Sequence, residues 1–280
     1  MDSYVMITGA AGGLGKAFAA ECAMRGWNLF LTDVSQPALE AAATGLKRMY
    51  GVTVETYTCD LIDAQARDAL WKHVARRGLR FHMLCNVAGV DYQGPFVQRR
   101  LNELQTIVRL NIEATVEMTR RMLAFKHPAH RLLIVNVSSL AAFYPMPVKA
   151  VYAASKRFLL DWSLALNEEL RPQGVMVTAL CPAGMPTNDA CIRAINAQGF
   201  AGRITTMNVG DVTRLTINRA LAGQTVVVPG VVNQLLRALG SLAPPPLAAA
   251  LINHRWQKAH QKSDGSGHVP PLTPSVGTPA

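Results

Sequence analysis

Thr8-Gly9-Ala10-Ala11-Gly12-Gly13-Leu14-Gly15 stands between an apolar, strand-like run, Tyr4-Val5-Met6-Ile7, and a helical pattern over Lys16–Arg25. Glycines at a strand-to-helix junction let the backbone turn sharply and approach a pyrophosphate, which the amides of a helix N-terminus then bind. A glycine-rich octapeptide alone marks only a tight turn. Its place after a first strand and before a first helix makes it a dinucleotide-binding signature. Gly9, Gly13, Leu14 and Gly15 are therefore candidate cofactor-binding residues.

Outward from this turn the pattern repeats. Strand-like runs at Val5–Thr8, Asn28–Asp33, Val52–Thr58, Phe81–Val87, Arg131–Val137, Val175–Cys181 and Thr225–Val228 alternate with helical stretches, clearest at Lys16–Arg25, Asn102–Phe125 and Val151–Leu170. Such alternation predicts a parallel sheet covered on both faces. Right-handed crossovers make it a doubly wound α/β fold of Rossmann type, with ligands at the carboxyl ends of the strands. One domain takes residues 1–230. Along Val151–Leu170, Phe158, Leu159, Trp162, Leu166 and Leu170 recur at helical spacing, as a core stripe or dimer seam does. The weakly patterned stretch 183–208 reads as a flap over substrate. Residues 231–262 read as a basic C-terminal extension of short amphipathic helices broken at Pro244-Pro245-Pro246, and 263–280 as a disordered tail rich in Gly, Ser and Pro.

Half of the 280 residues are apolar and 16% are charged, which fits a substantial core and argues against disorder. Cys22, Cys59, Cys85, Cys181 and Cys191 form no CxxC pair, so neither a metal site nor a disulfide framework is indicated and a reducing compartment is expected. No basic leader precedes the first strand, and no apolar run approaches the roughly 20 residues of a membrane span, so the expectation is a soluble, cytoplasmic protein. The net charge of +10 is spread over short clusters such as Arg76-Arg77, Arg99-Arg100 and Arg120-Arg121, with no interleaved aromatics, which argues against a nucleic-acid partner. From Val212 to Lys262 there is no acidic residue, while Arg214, Arg219, Arg237, Arg255, Lys258 and Lys262 are basic. Its helices either close a substrate pocket or pack on a subunit, or they form a surface that rests on membrane or receives a greasy substrate.

Asp33 ends the second strand, near the spacing of about 20 residues from the glycine turn at which a carboxylate accepts ribose hydroxyls. A carboxylate there repels a 2′-phosphate and favours NAD over NADP; Lys16, just past the turn, is the one feature against it. Tyr152-Ala153-Ala154-Ser155-Lys156 places a phenol and an ammonium on one helix face. A free tyrosine, with a pKa of about 10, is a poor base near neutrality, and a neighbouring ammonium favours its phenolate.

These motifs together resemble the short-chain dehydrogenase/reductase family over roughly residues 4–230. In order they are the Thr8–Gly15 turn, Cys59-Asp60-Leu61, Asn86-Val87-Ala88-Gly89, Asn111, Asn136-Val137-Ser138-Ser139 and Tyr152–Lys156. The resemblance implies a dimeric or tetrameric oxidoreductase with Asn111, Ser139, Tyr152 and Lys156 as its catalytic set, Ser139 being preferred to Ser138 because it lies thirteen residues before Tyr152. It further implies that Tyr152 exchanges the proton of a carbonyl or alcohol oxygen. Ser139 would hydrogen-bond that oxygen, Lys156 would tune Tyr152 and hold the nicotinamide ribose, and Asn111 would interrupt its helix to hold a relay water. Asp60 and Leu61 near the adenine, Asn86, Ala88 and Gly89 on the cofactor floor, and Thr187 at the carboxamide complete the implied cofactor set. Val87, Ala142 and Ala183 depart from the family pattern without removing a catalytic group.

The expected partner is a lipophilic secondary alcohol or ketone, a hydroxysteroid first and a 3-oxoacyl derivative second, facing an apolar wall of Leu140, Ala141, Phe143, Tyr144, Met146 and Met185. A dinucleotide-binding redox sensor is the rival of a different class. Such a protein has no use for the Ser–Tyr–Lys set.

Overall fold

The computed structural model describes the backbone of residues 3–187, 204–242 and 244–263. Seven parallel strands, β1 (Ser3–Thr8), β2 (Asn28–Asp33), β3 (Val54–Thr58), β4 (Arg80–Asn86), β5 (Leu132–Val137), β6 (Val175–Leu180) and β7 (Val226–Val227), lie in the order β3-β2-β1-β4-β5-β6-β7. The winding reverses between β1 and β4, and that is where a doubly wound sheet opens its ligand crevice. The registers Thr8↔Thr32 and Thr8↔Asn86 align the carboxyl ends of β2, β1 and β4 under this point. The expected Rossmann-type fold and every expected strand are present, β7 reduced to two residues.

Alternation along β1 shows how the sequence makes two layers. Val5 and Ile7 join Phe18, Leu29, Leu31 and Ile217 in one cluster, while Tyr4 and Met6 join Phe30, Leu70, Phe81 and Met118 in the other. Both faces are thus apolar, as a strand buried on both sides requires. Helices α1 (Gly13–Met24) and α2 (Gln36–Tyr50) supply residues to the first cluster, and α3 (Ala64–Arg76) to the second. The α2 helix ends at Gly51, whose φ of +68° is the left-handed C-cap that glycine adopts freely.

The expected helix Asn102–Phe125 is three segments: α4 (Leu101–Ile107), a widened π turn over Val108–Ala114, and α5 (Thr115–Met122) with a short 3₁₀ end. Arg67 of α3 is buried against it, donating to Glu113, Glu117 and the Leu61 carbonyl at 2.6–2.7 Å. Next come α6 (Ala150–Leu170) and α7 (Val209–Leu221). The expected stripe on α6 divides. Leu159 and Leu170 are core, whereas Phe158 stays partly exposed and stacks on Trp162 at 6.0 Å.

Beyond β7, α8 (Val231–Leu242) and α9 (Pro245–Ser263) form the expected extension, separated at the prolines as expected. Pro245 and Pro246 open α9, where a proline in a first turn gives up an amide that has no helical partner. The helix also runs through Ser263, which the sequence assigns to the tail. The remaining tail, 264–280, and flap residues 188–203 lie outside the described residues.

Candidate active site

The glycine turn is built by excluding side chains. A Cβ on Gly15 would stand 2.1 Å from the Gly9 carbonyl oxygen, so only glycine lets α1 start this close to the end of β1. Gly9 itself has φ +65°, and a Cβ there would meet the Ala88 backbone at 2.8 Å. Ala88 is held in place by Thr8, whose hydroxyl accepts the Val87 and Ala88 amides at 3.0 and 3.2 Å. At Gly13 a Cβ would fall 2.7 Å from the Thr187 carbonyl oxygen, so the segment after β6 packs directly on the turn. Leu14 is buried beneath it, and the N-terminus of α1, at Gly12, carries no side-chain cap. Uncapped amides above a turn without side chains suit an anion.

Beside the turn, Asp33 accepts the Ala11 amide at 2.9 Å and the Ser35 amide at 3.2 Å. The Cys59 amide donates to the Asp33 carbonyl at 2.9 Å, which brings β3 and the following Asp60 alongside. Asp60 is exposed and accepts the Ile62 amide at 2.9 Å, while the Leu61 side chain belongs to the core and only its carbonyl is used, by Arg67. The Asn86 side chain is used inside the sheet, which leaves only its backbone for a cofactor. Its side chain turns inward, donating to Thr119 Oγ1 at 3.0 Å and Asn136 Oδ1 at 2.8 Å, because a buried amide between two strands is satisfied there. Its part in the site is to tie β4 to β5.

The second half of the site is built from side chains. Lys156 is buried in α6, and its Nζ donates to the Val137 carbonyl at 2.8 Å. Burial pulls its pKa down from the ordinary 10.5 to about 8, with Asp91 opposing. Tyr152, one turn earlier and half-buried, has its ring centroid 5.6 Å from the Lys156 ammonium. Ser138 is spent on structure, its hydroxyl donating to the Lys156 carbonyl at 2.6 Å. Ser139 instead sits half-exposed at the end of β5, where its Oγ accepts the Ala141 amide at 3.1 Å and keeps its own proton to donate. The spacing argument for Ser139 thus has a geometric counterpart.

Asn111 lies in the π turn, and there the helix is interrupted as expected. Its buried amide accepts the Val90 N–H at 2.9 Å and donates to the Val90 carbonyl at 3.0 Å and Ser155 Oγ at 3.1 Å. Gly89 is flanked by it, since a Cβ would meet Asn111 Oδ1 at 3.1 Å and Lys156 Nζ at 3.4 Å. Ala88 against Gly9, then Gly89 against Lys156, makes one short loop join the two halves.

Leu140 and Ala141 are buried, with Leu140 in a cluster with Leu160, Ala179 and Val228, so they back the expected apolar wall more than face it. Phe143 and Tyr144 pack under α8. Arg237 lies over the Phe143 ring at 5.3 Å, and a Cβ on Gly240 would strike Tyr144 at 2.3 Å. Sequence reasoning missed the Arg67–Glu113–Glu117 anchor and the Lys149–Asp91 ion pair beside Tyr152. Lys149 was legible in principle, lying three residues before Tyr152.

Fold and site together define a short chain dehydrogenase. The family model of that description matches residues 3–192, and the chain belongs to this family. It is 34% identical over 179 residues to a very-long-chain 3-oxoacyl-CoA reductase of Phaeosphaeria nodorum, covering 62% of this chain and 52% of that one. It is 32% identical over 191 residues to human 17-beta-hydroxysteroid dehydrogenase type 3, covering 67% and 60%. The chain thus matches between half and three fifths of the length of these relatives. Among solved structures, a short-chain dehydrogenase from Sphingobium yanoikuyae in complex with NADPH superposes with a TM-score of 0.70 at 25% identity, covering 97% of this chain and 98% of that one.

Proposed function

We propose that the protein is a nicotinamide-dependent oxidoreductase that interconverts a secondary alcohol and a ketone on a lipophilic small molecule. The observation that carries this is the buried Lys156 ammonium one turn from Tyr152, joined through Gly89 to a turn stripped of side chains. A dinucleotide held on that turn supplies or accepts hydride. The chain's own groups handle the proton: Tyr152 gives it to, or takes it from, the substrate oxygen, and Ser139 donates a hydrogen bond to that oxygen. Lys156, now bonded to the Val137 carbonyl, favours the phenolate and would hold the ribose of a bound dinucleotide, while Asn111 orders the Val90 backbone. A bare redox sensor would have no reason to bury a lysine here.

Asp33, at the end of β2, favours NAD; the S. yanoikuyae relative's NADPH makes NADP the alternative. The names of the two relatives set the substrate classes, hydroxysteroid and 3-oxoacyl thioester. Outward-facing Phe158 and Leu164 on α6 favour a homodimer or homotetramer. Exposed Val231, Leu235 and Leu239 on α8 and Leu247 and Leu251 on α9, in a stretch without acidic residues, favour peripheral contact with an anionic membrane. No described helix is long and apolar enough to cross one. Cys22, Cys59, Cys85 and Cys181, buried and free among the described residues, favour the cytoplasm or another reducing compartment.

The test is turnover of NAD or NADP with a panel of hydroxysteroids and 3-oxoacyl thioesters, beside Tyr152→Phe. Turnover with NAD that vanishes in the variant is expected. Preference for NADP would overturn the Asp33 argument alone. Tight cofactor binding without turnover across a wide panel would promote the redox sensor. Sedimentation onto phosphatidylserine vesicles, lost in Leu235→Asp, checks the membrane contact.

A further inference from the structure

Tyr152 has a second cation beside it. The Nζ of Lys149, the residue before α6, lies 5.6 Å from the Tyr152 ring centroid, the same distance as the Nζ of Lys156. Lys149 is held there by an ion pair with Asp91, from the loop after β4, and both side chains are largely shielded, at 20% and 27% exposure. The backbone next to it is unusual. Val148 has φ +60°, the only positive φ at a non-glycine among the described residues. A β-branched residue is rarely found there, and such strain persists where the surroundings impose it. Here they do, since the Val148 carbonyl accepts the Gly94 amide at 2.8 Å. One backbone bond and one ion pair therefore tie the loop 91–94 to the start of α6.

We propose that Lys149, anchored by Asp91 and by the strained turn at Val148, is a second positioning residue for Tyr152, whose ammonium favours the phenolate from the side opposite in sequence to Lys156. The inference rests on the reading of Tyr152 as acid/base. An ordinary exposed ion pair would contribute little to anything. This one differs in place: its ammonium lies beside the one ring whose ionisation matters. Among the other charged or titratable groups, Arg99 packs against Gly94 of the same loop and pairs with Glu103 at 3.8 Å. Cys181, on β6, is pushed up to about 11 by burial and Tyr144 to about 12, so both are neutral at working pH. Arg237 of α8 lies over Phe143. Lys156 begins to lose its charge near pH 8.

The experiment is the pH profile of kcat for alcohol oxidation in the wild type, Lys149→Met and Lys149→Arg, with KM for cofactor measured alongside. A phenolate base gives a rate that rises with pH to a plateau. Removing a cation makes the phenol a weaker acid, so the limb moves to higher pH. Lys149→Met is expected to move it up by about half to one unit, lowering kcat on the rising limb by about three- to tenfold. KM for cofactor should stay within about twofold, and Lys149→Arg should restore the limb. An unmoved limb in a folded Lys149→Met overturns the proposal. Should that variant fail to fold, Lys149→Gln is titrated by ultraviolet difference absorbance, with the Tyr152→Phe signal subtracted, and an unshifted phenol overturns it equally. An active Tyr152→Phe would instead sink the acid/base reading itself, so the two failures are distinguishable.

Discussion

Around the glycine turn the protein leaves atoms out: Gly9, Gly13 and Gly15 each sit where a Cβ would lie within 3 Å of neighbouring backbone. Around Tyr152 it puts atoms in, burying Lys156, Ser138 and Asn111 and spending their polar groups on named partners. The first region is a backbone surface that any added group spoils. The second is a set of side chains held at a cost in desolvation. Each kind of site fails in its own way, and the variants that tell them apart follow from that.

The largest effect is expected among the side chains. Under the proposed mechanism Ser139→Ala removes the donor to the substrate oxygen and should lower kcat by about 100- to 1000-fold with little change in melting temperature. Ser138→Ala should do the reverse. It breaks the buried bond to the Lys156 carbonyl, costing about 1–2 kcal/mol of stability, with kcat within a few-fold. Equal kinetic damage from both would mean that the two serines act as one unit and the division made here is wrong.

In the backbone region the next effect comes from addition. Gly15→Ala forces a methyl to within 2.1 Å of the Gly9 oxygen, and both sides of that contact are main chain, so neither can swing away. A loss of about 2–3 kcal/mol in stability is expected, read by urea unfolding, with cofactor affinity falling at least tenfold. A neutral outcome would mean that the start of α1 can slide, contrary to the tight turn described above.

How much of each region the sequence displayed follows from the same contrast. Glycines at fixed offsets announce themselves, so the turn, Asp33 and the strands around them were readable from periodicity and spacing. The Tyr–Lys pair was readable because four residues make one helical turn. Contacts made across the fold were not. Arg67 meets Glu113 and Glu117 from some fifty positions away, and Asp91 meets Lys149 from 58. Asn86 was expected on the cofactor floor with Ala88 and Gly89; the inward turn of its side chain depends on Thr119 and Asn136, which the sequence does not place beside it. The end of α9 was hidden for a local reason: Ser263 begins a Gly, Ser and Pro-rich composition that reads as tail, yet the helix takes it in.

Lys156 sharpens the comparison with a pH dependence. Its pKa is depressed from 10.5 in the unfolded chain to about 8 in the fold, so the unfolded state binds more protons between these values. The penalty is fully present below pH 8 and is relieved as pH rises toward 10.5. Two and a half units correspond to about 3 kcal/mol, from which about 1 kcal/mol is subtracted for the lost bond to Val137. Lys156→Met should therefore be inactive yet more stable than the wild type by about 1–2 kcal/mol at pH 7, the gap narrowing by pH 10. A less stable variant at pH 7 would show that the ammonium is better solvated than its burial implies.

Val148 is where the comparison breaks, because the side-chain half borrows a backbone conformation without the residue suited to it. At φ +60° its branched Cβ crowds the neighbouring carbonyl, at roughly 1–2 kcal/mol, and its half-buried side chain returns only part of that through packing. Asparagine tolerates the left-handed region and, unlike glycine, adds little freedom to the unfolded chain. Val148→Asn should consequently raise stability by about 0.5 kcal/mol, a melting shift of one or two degrees, with the Gly94 bond to the carbonyl intact. If the melting temperature falls instead, packing of the valine outweighs its strain. The turn that presents Lys149 would then be held by side-chain contacts, as its neighbours are, and the contrast between the two regions would be complete.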